Sequence, residues 1–75
     1  MMVLTFKSDN REIDLKINER QKIEDVIDII SKQHIFAISE NYSIRSIRDN
    51  RNIDRKKTFD ENNIYNGDII LIINQ

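Results

Sequence analysis

Along the first eighteen positions apolar residues recur with a period of two. Met2, Leu4 and Phe6 alternate with Val3, Thr5 and Lys7, and Ile13, Leu15 and Ile17 alternate with Glu12, Asp14 and Lys16. Successive side chains of a strand point to opposite faces, so this spacing predicts two strands, each with one dry face. Ser8-Asp9-Asn10-Arg11 lies between them. Short polar side chains of that kind bond their own backbone and tolerate left-handed conformations, so the pair reads as a β-hairpin. The period then changes. Ile23, Val26, Ile27 and Ile30 recur three and four apart, with Lys22, Glu24, Asp25, Asp28, Ser31 and Lys32 round the rest of the wheel. That predicts an amphipathic helix of about three turns, with Ile29 beside its apolar stripe. Asn18 and Gln21 have the spacing of a loose capping box for its start, and Gln21 or Lys22 is the start if the helix is shorter. Lys32 and His34 suit the negative end of its dipole.

Ile35-Phe36-Ala37-Ile38 carries the chain off the helix, with two of its side chains expected to plug the core. Tyr42 to Arg48 reads as a third strand whose alternation breaks between Ile44 and Ile47. A bulge, or one apolar residue on each face, explains that break. Ile53 is a lone anchor in a very short strand, and Asp54-Arg55-Lys56-Lys57 a solvated loop. Thr58-Phe59-Asp60-Glu61 fits a capping box on one helical turn, with Phe59 and Ile64 buried from its two ends. Asn66 and Gly67, the single glycine, reverse the chain into Ile69-Ile70-Leu71-Ile72-Ile73. A strand buried on one face would alternate, and this one is aliphatic throughout. Either both faces are covered or one carries an exposed apolar stripe. Ile70 and Ile72 are expected in the core. Ile69, Leu71 and Ile73 are expected on the face that carries no helix, with Val3 alongside, as the family resemblance described below implies. The order of elements predicts an α+β fold: a mixed sheet with one helix on one face and the first and last strands parallel at its centre.

Composition narrows the chemistry. At 75 residues the chain is one domain, residues 1–75, and hides only ~60% of its unfolded surface. With no cysteine and one histidine there is no thiolate or histidine-rich metal site, and no cofactor is expected. His34 has no second histidine or serine nucleophile in a recognisable motif, and no carboxylates are spaced as an acid–base pair, so no catalytic residue is assigned. The longest apolar run is far short of the roughly 20 residues that span a bilayer, which argues against membrane insertion. The start lacks the features of a signal peptide, so a cytoplasmic protein is expected. Net charge is -1, but Arg45, Arg48, Arg51, Arg55, Lys56 and Lys57 fall in one segment with only Asp49 and Asp54. The segment reads first as a solvated strand pair and loop, and second as a basic rim on a binding face. It has no interleaved aromatics, which argues against nucleic acid as the partner.

Two segments, Gln21-Lys22-Ile23-Glu24-Asp25-Val26-Ile27-Asp28-Ile29-Ile30 and Thr58-Phe59-Asp60-Glu61-Asn62-Asn63-Ile64 continuing through Gly67-Asp68-Ile69-Ile70, resemble ubiquitin and its β-grasp relatives. The resemblance extends over essentially the whole chain. Among bacterial members it is most similar to the YukD-like (EsaB-like) proteins, small accessory proteins of type VII secretion. The Asn66-Gly67-Asp68-Ile69-Ile70-Leu71 ending carries that likeness. The resemblance implies a non-enzymatic, non-conjugated module that binds another protein, or a second copy of itself, through the sheet. It implies that Ile47 and Ile73 match two members of ubiquitin's apolar recognition patch, and that Arg45 and Arg51 match basic residues on its rim. There are departures. Only Asn74-Gln75 follow the last strand, where a covalent modifier or sulfur carrier needs a flexible Gly-Gly tail; a longer precursor would reopen that alternative. Arg51 stands at a chain-forming lysine, and Asn62 replaces a tyrosine that braces the neighbouring loop. Ser8-Asp9 stands where ubiquitin has an apolar contact residue.

Overall fold

In the computed structural model, which describes residues 1–75, the two predicted strands pair along their whole length. β1 (Met2–Ser8) and β2 (Arg11–Ile17) are antiparallel, with Leu4 opposite Leu15 and Phe6 opposite Ile13. The turn is tighter than the four polar residues suggest. Ser8 and Arg11 are the last strand pair, and Asp9-Asn10 alone make the reversal, Asp9 at φ 55°. Ser8 keeps the even-numbered parity of Leu4 and Phe6, and so is buried.

The helix α1 (Ile23–Lys32) buries the four residues that its period picks out, and leaves Ile29 half exposed. Its start is the later of the two expected. Gln21 Oε1 accepts from the Asn18 amide at 3.2 Å and Asn18 Oδ1 from the Arg20 amide at 3.0 Å, closing a turn ahead of the helix. Lys22 is the N-cap, without a side-chain bond. Instead the Ile23 and Glu24 amides donate to the carbonyls of Lys57 (3.1 Å) and Arg55 (2.9 Å). The loop read as merely solvated therefore satisfies two of the helix's orphan donors. At the other end His34 takes φ 57°, its amide donates to Ser31 O, and the Ile35 amide donates to Ile30 O. That paired bonding is a Schellman stop, with histidine in a position where glycine is usual.

β3 (Ser43–Ser46), β4 (Arg51–Asn52) and β5 (Ile69–Ile73) complete a five-stranded sheet of order β2-β1-β5-β3-β4. β5 lies parallel to β1 and antiparallel to β3. This is the expected β-grasp, an α+β fold with the most aliphatic strand between two others. β3 pairs with β5 without interruption, so the break in its alternation comes from Ser46 taking a core position while Ile47 faces out. Fourteen buried apolar residues form one core between sheet and helix, in which the Phe6 and Phe59 rings meet edge to face at 6.4 Å. Phe36 is the buried plug after the helix, and Ile35 and Ile38 are partly buried against the core.

The turn before β5 closes as its capping box predicts. The Thr58 amide donates to Glu61 Oε1 and the Glu61 amide to Thr58 Oγ1, both at 3.0 Å. Asn62, read as a departure from the ubiquitin pattern, supplies the brace itself. It is buried, its Oδ1 accepts from the Asp54 amide, and its Nδ2 donates to the carbonyls of Asp54 and Thr58.

Candidate protein-interaction face

The parity that sends Ile70 and Ile72 into the core sends Ile69, Leu71 and Ile73 to the opposite side of β5, where each is half buried. Their register names the neighbours. Leu71 lies between Lys7 and Arg45, Ile69 is opposite Thr5, and Ile73 is opposite Ser43. The Ile47 amide donates to Ile69 O at 3.1 Å, which sets Ile47 beside Ile69 at the end of β3. Val3 and Ile47 are the open members of the set, 42% and 43% exposed. The face thus carries an apolar stripe along β5, joined by Val3 and Ile47 at its Ile69 end and flanked by Lys7 and Arg45 at Leu71, with no helix over it.

Val3 is held by the turn that sequence assigned only to chain reversal. Its amide donates to Asn66 Oδ1 and its carbonyl accepts from the Gly67 amide, both at 2.8 Å. Gly67 sits at φ 88°, which a side chain adopts only with strain. Next to it Asp68 is buried and fully engaged. Its Oδ2 accepts from the Tyr65 amide at 2.9 Å and its Oδ1 from Arg48 Nε at 3.0 Å. Arg48 also donates to Asn63 O and lies 5.0 Å from the centre of the Tyr65 ring. Ile47, Arg48, Gly67, Asp68 and Ile69 together line a dent of ≈ 220 Å³ at the margin of the stripe. The role of Arg48 was not legible, because nothing in the spacing links it to Asp68 across twenty residues.

The two arginines assigned to the rim divide. Arg45 is on the face, opposite both Leu71 and Asn52, and its guanidinium donates to Asn50 Oδ1 (2.9 Å) and Asn52 Oδ1 (3.4 Å). Arg51 is not. Its cross-strand partner is Ser46, a core-side residue, and its guanidinium donates to the carbonyls of Asn62 and Asn63 and to Asp49 at 2.7 Å. That guanidinium holds the Asp49 carboxyl below its usual range. Arg55 donates to the carbonyls of Glu40 and Tyr42 and covers the Tyr42 ring at 4.3 Å. All four arginines of the basic segment are therefore bonded within the chain, and Lys56 and Lys57 are its cations without such bonds. His34 is exposed at the end of α1. No group of three or more histidine, cysteine, aspartate or glutamate side chains converges on a metal-binding arrangement, and no helix is long and apolar enough to cross a membrane.

No protein-family model and no curated protein sequence matches the chain. Solved structures do. The crystal structure of ATBAG1 in complex with HSP70 is similar over all of this chain, with TM-score 0.78 and 10% identity. The solution structure of the N-terminal ubiquitin-like domain in the 4931431F19Rik protein is similar over 99% of it, with TM-score 0.76 and 9% identity. The chain spans 41% of the first of these and 74% of the second. At such identities the likeness is one of fold, and the fold is that of a ubiquitin-like domain.

Proposed function

We propose that this chain is a non-enzymatic ubiquitin-like module that binds another protein non-covalently through the helix-free face of its sheet. The observation that carries this reading is the stripe of Val3, Ile47, Ile69, Leu71 and Ile73, two of them more than 40% exposed. Fully covering one aliphatic side chain is worth ~1.5–3 kcal/mol, so a domain this small gives up sizeable stability by leaving several wet. Contiguous apolar surface of that kind marks interfaces. Arg45 at its margin, held by two asparagines, supplies a fixed positive charge to orient a partner. A neighbour of which this chain spans 41% was solved in complex with HSP70. The resemblance of the Asn66-to-Leu71 segment to YukD-like proteins favours a cytosolic accessory role in a type VII secretion machine.

The test is the double substitution Ile47→Asp with Leu71→Asp, read by affinity capture from the source cell and by sedimentation. The variant is expected to keep its dispersed amide NMR spectrum and to lose the captured partner. A folded variant that captures the same partner in the same yield overturns the assignment of this face.

A further inference from the structure

The sheet ends on β2, which has β1 as its one neighbour and an open outer edge. The backbones of Val3 and Thr5 point the other way, since the Thr5 amide donates to Asp68 O and Val3 O accepts from the Gly67 amide. Backbone direction alternates along a strand, so Met2, Leu4, Phe6 and Ser8 bond their partners Ile17, Leu15, Ile13 and Arg11. The amides and carbonyls of Glu12, Asp14 and Lys16 therefore point off the sheet, and no bond outside the strand ladders takes them up. All three residues are exposed. A seven-residue edge is a template for another strand, and folded proteins commonly guard such an edge with a proline, a bulge or a cover. This chain has no proline, and the β1–β2 register runs without a bulge. The guard that remains is charge, carried by Glu12, Asp14 and Lys16 on the helix-free side.

That guard fails in one register. When the edges of two copies pair antiparallel about a twofold axis, the axis residue faces itself and its neighbours face one another in exchange. An axis at Glu12 or Lys16 sets that charge against its own copy, and an axis at Ile13 sets Glu12 against Asp14 twice. An axis at Asp14 joins Glu12 to Lys16 but sets Asp14 against itself. With the axis at Leu15, Asp14 of each copy faces Lys16 of the other, and Glu12 faces the neutral Asn18. On the helix side Leu15 then meets Leu15, and Ile13 meets Ile17. Asp14 keeps one oxygen free beside the one that accepts from the Thr5 hydroxyl, and Lys16 is in no ion pair. Past the strand ends the same register brings Asp9 and Arg11 toward Glu19 and Arg20, one charge of each sign on either side. We propose that β2 is a self-pairing edge, at which two copies of this chain join antiparallel about Leu15 into one continuous sheet. The Asp14 and Lys16 amides and carbonyls of the two copies then bond one another. The axis stands perpendicular to the sheet, so both helices lie on one side and both apolar stripes on the other. A dimer presents two partner-binding faces in one direction. That consequence rests on the function proposed for the stripe, whereas the pairing itself does not.

Three full-length variants test the pairing: Asp14→Lys, Lys16→Asp, and the exchange of both charges, Asp14→Lys with Lys16→Asp. The readouts are sedimentation equilibrium up to about 1 mM, since small interfaces are weak, and amide exchange by NMR, which also confirms that each variant is folded. The wild type is expected to dimerise. Its Asp14 and Lys16 amides, without an acceptor in the monomer, are expected to exchange more slowly as concentration rises. Each single variant sets like charges together at both symmetry-related pairs and is expected to self-associate at least about tenfold more weakly. The double exchange restores both pairs and is expected to dimerise like the wild type, as is an equimolar mixture of the two single variants. A wild type that stays monomeric over that range overturns the proposal. So does a dimer that the single variants leave intact, that the double exchange fails to restore, or that leaves the Asp14 and Lys16 amides unprotected. A dimer removed by Ile47→Asp with Leu71→Asp and indifferent to the Asp14 and Lys16 variants belongs to the sheet face, which counts against this pairing and leaves the reading of the stripe standing.

Discussion

The first hairpin with its helix, residues 2–32, and the corner from Arg45 to Asp68 are held together in different ways. In the first region the contacts that matter are apolar: Leu4, Phe6, Ile17, Ile23, Val26, Ile27 and Ile30 are buried, and few side chains bond to backbone. In the second, polar side chains tie successive turns to one another. Asn62 joins Asp54 to Thr58, Arg51 joins Asp49 to the carbonyls of Asn62 and Asn63, and Arg48 joins Asp68 to Asn63. Burial is additive and forgiving of shape, whereas a buried polar brace leaves unmatched groups when one member is lost. The two regions should therefore fail differently.

The largest expected effect is on the seam where they meet. Phe59 comes from the polar corner but is fully buried against Phe6 of the hairpin. Phe59→Ala should cost ~3–5 kcal/mol, enough to leave a domain of this size largely unfolded in a urea titration. A cooperative transition close to that of the wild type would show that the corner and the hairpin do not share a core. Next comes the brace. Asn62→Ala strands the Asp54 amide, while the Asp54 and Thr58 carbonyls keep the amides of Lys57 and Asn62, and should cost about 1–3 kcal/mol. The loss should appear as faster amide exchange across residues 54–64, with the hairpin amides protected as before. Uniformly faster exchange would deny that the corner is a separate unit.

The smallest effect tests one charge. The Thr58 amide and hydroxyl hold the Glu61 carboxyl below its ordinary value of 4.5. A carboxyl depressed in the folded state adds stability above its unfolded value, and loses it as pH falls through the folded one. Glu61→Gln keeps an acceptor oxygen for the cap but has no charge to lose. Wild type should thus be slightly more stable at pH 7, and the difference should vanish well below about pH 4.5. Parallel urea titrations that keep the same gap at both ends of that range would remove the charge from the explanation.

The contrast between regions also decides what could be read beforehand. Hydrophobic periodicity reports burial directly, so the hairpin and the helix face were legible from residue type alone, whereas β5 is aliphatic throughout and its two faces were assigned through the resemblance. The capping box at Thr58 and Glu61 was legible because its partners are three residues apart. Ser46 was not, since a polar residue in a core position breaks the pattern that would reveal it. Nor were Asn62 and Arg48, whose partners lie eight and twenty residues away and become neighbours only after the sheet has formed. For the same reason Arg51 was placed on the interaction face by analogy of position, while the register sets it on the other side. The set Val3, Ile47, Ile69, Leu71 and Ile73 came from the same analogy of position, and there the register agrees with it.

The strand order has a consequence in time. Thr5 pairs with Ile69, so the centre of the sheet is a contact between nearly opposite ends of the described chain. The hairpin and the helix involve near neighbours, and can form while a ribosome is still producing the segments behind them. The inner edge of β1 cannot be covered until Ile73 has cleared the exit tunnel. At ~5–20 residues per second, that leaves a newly made chain several seconds in which its hairpin exists with an open edge. Quality control has its opportunity in that interval, and the five aliphatic residues of β5 are the ones that end it.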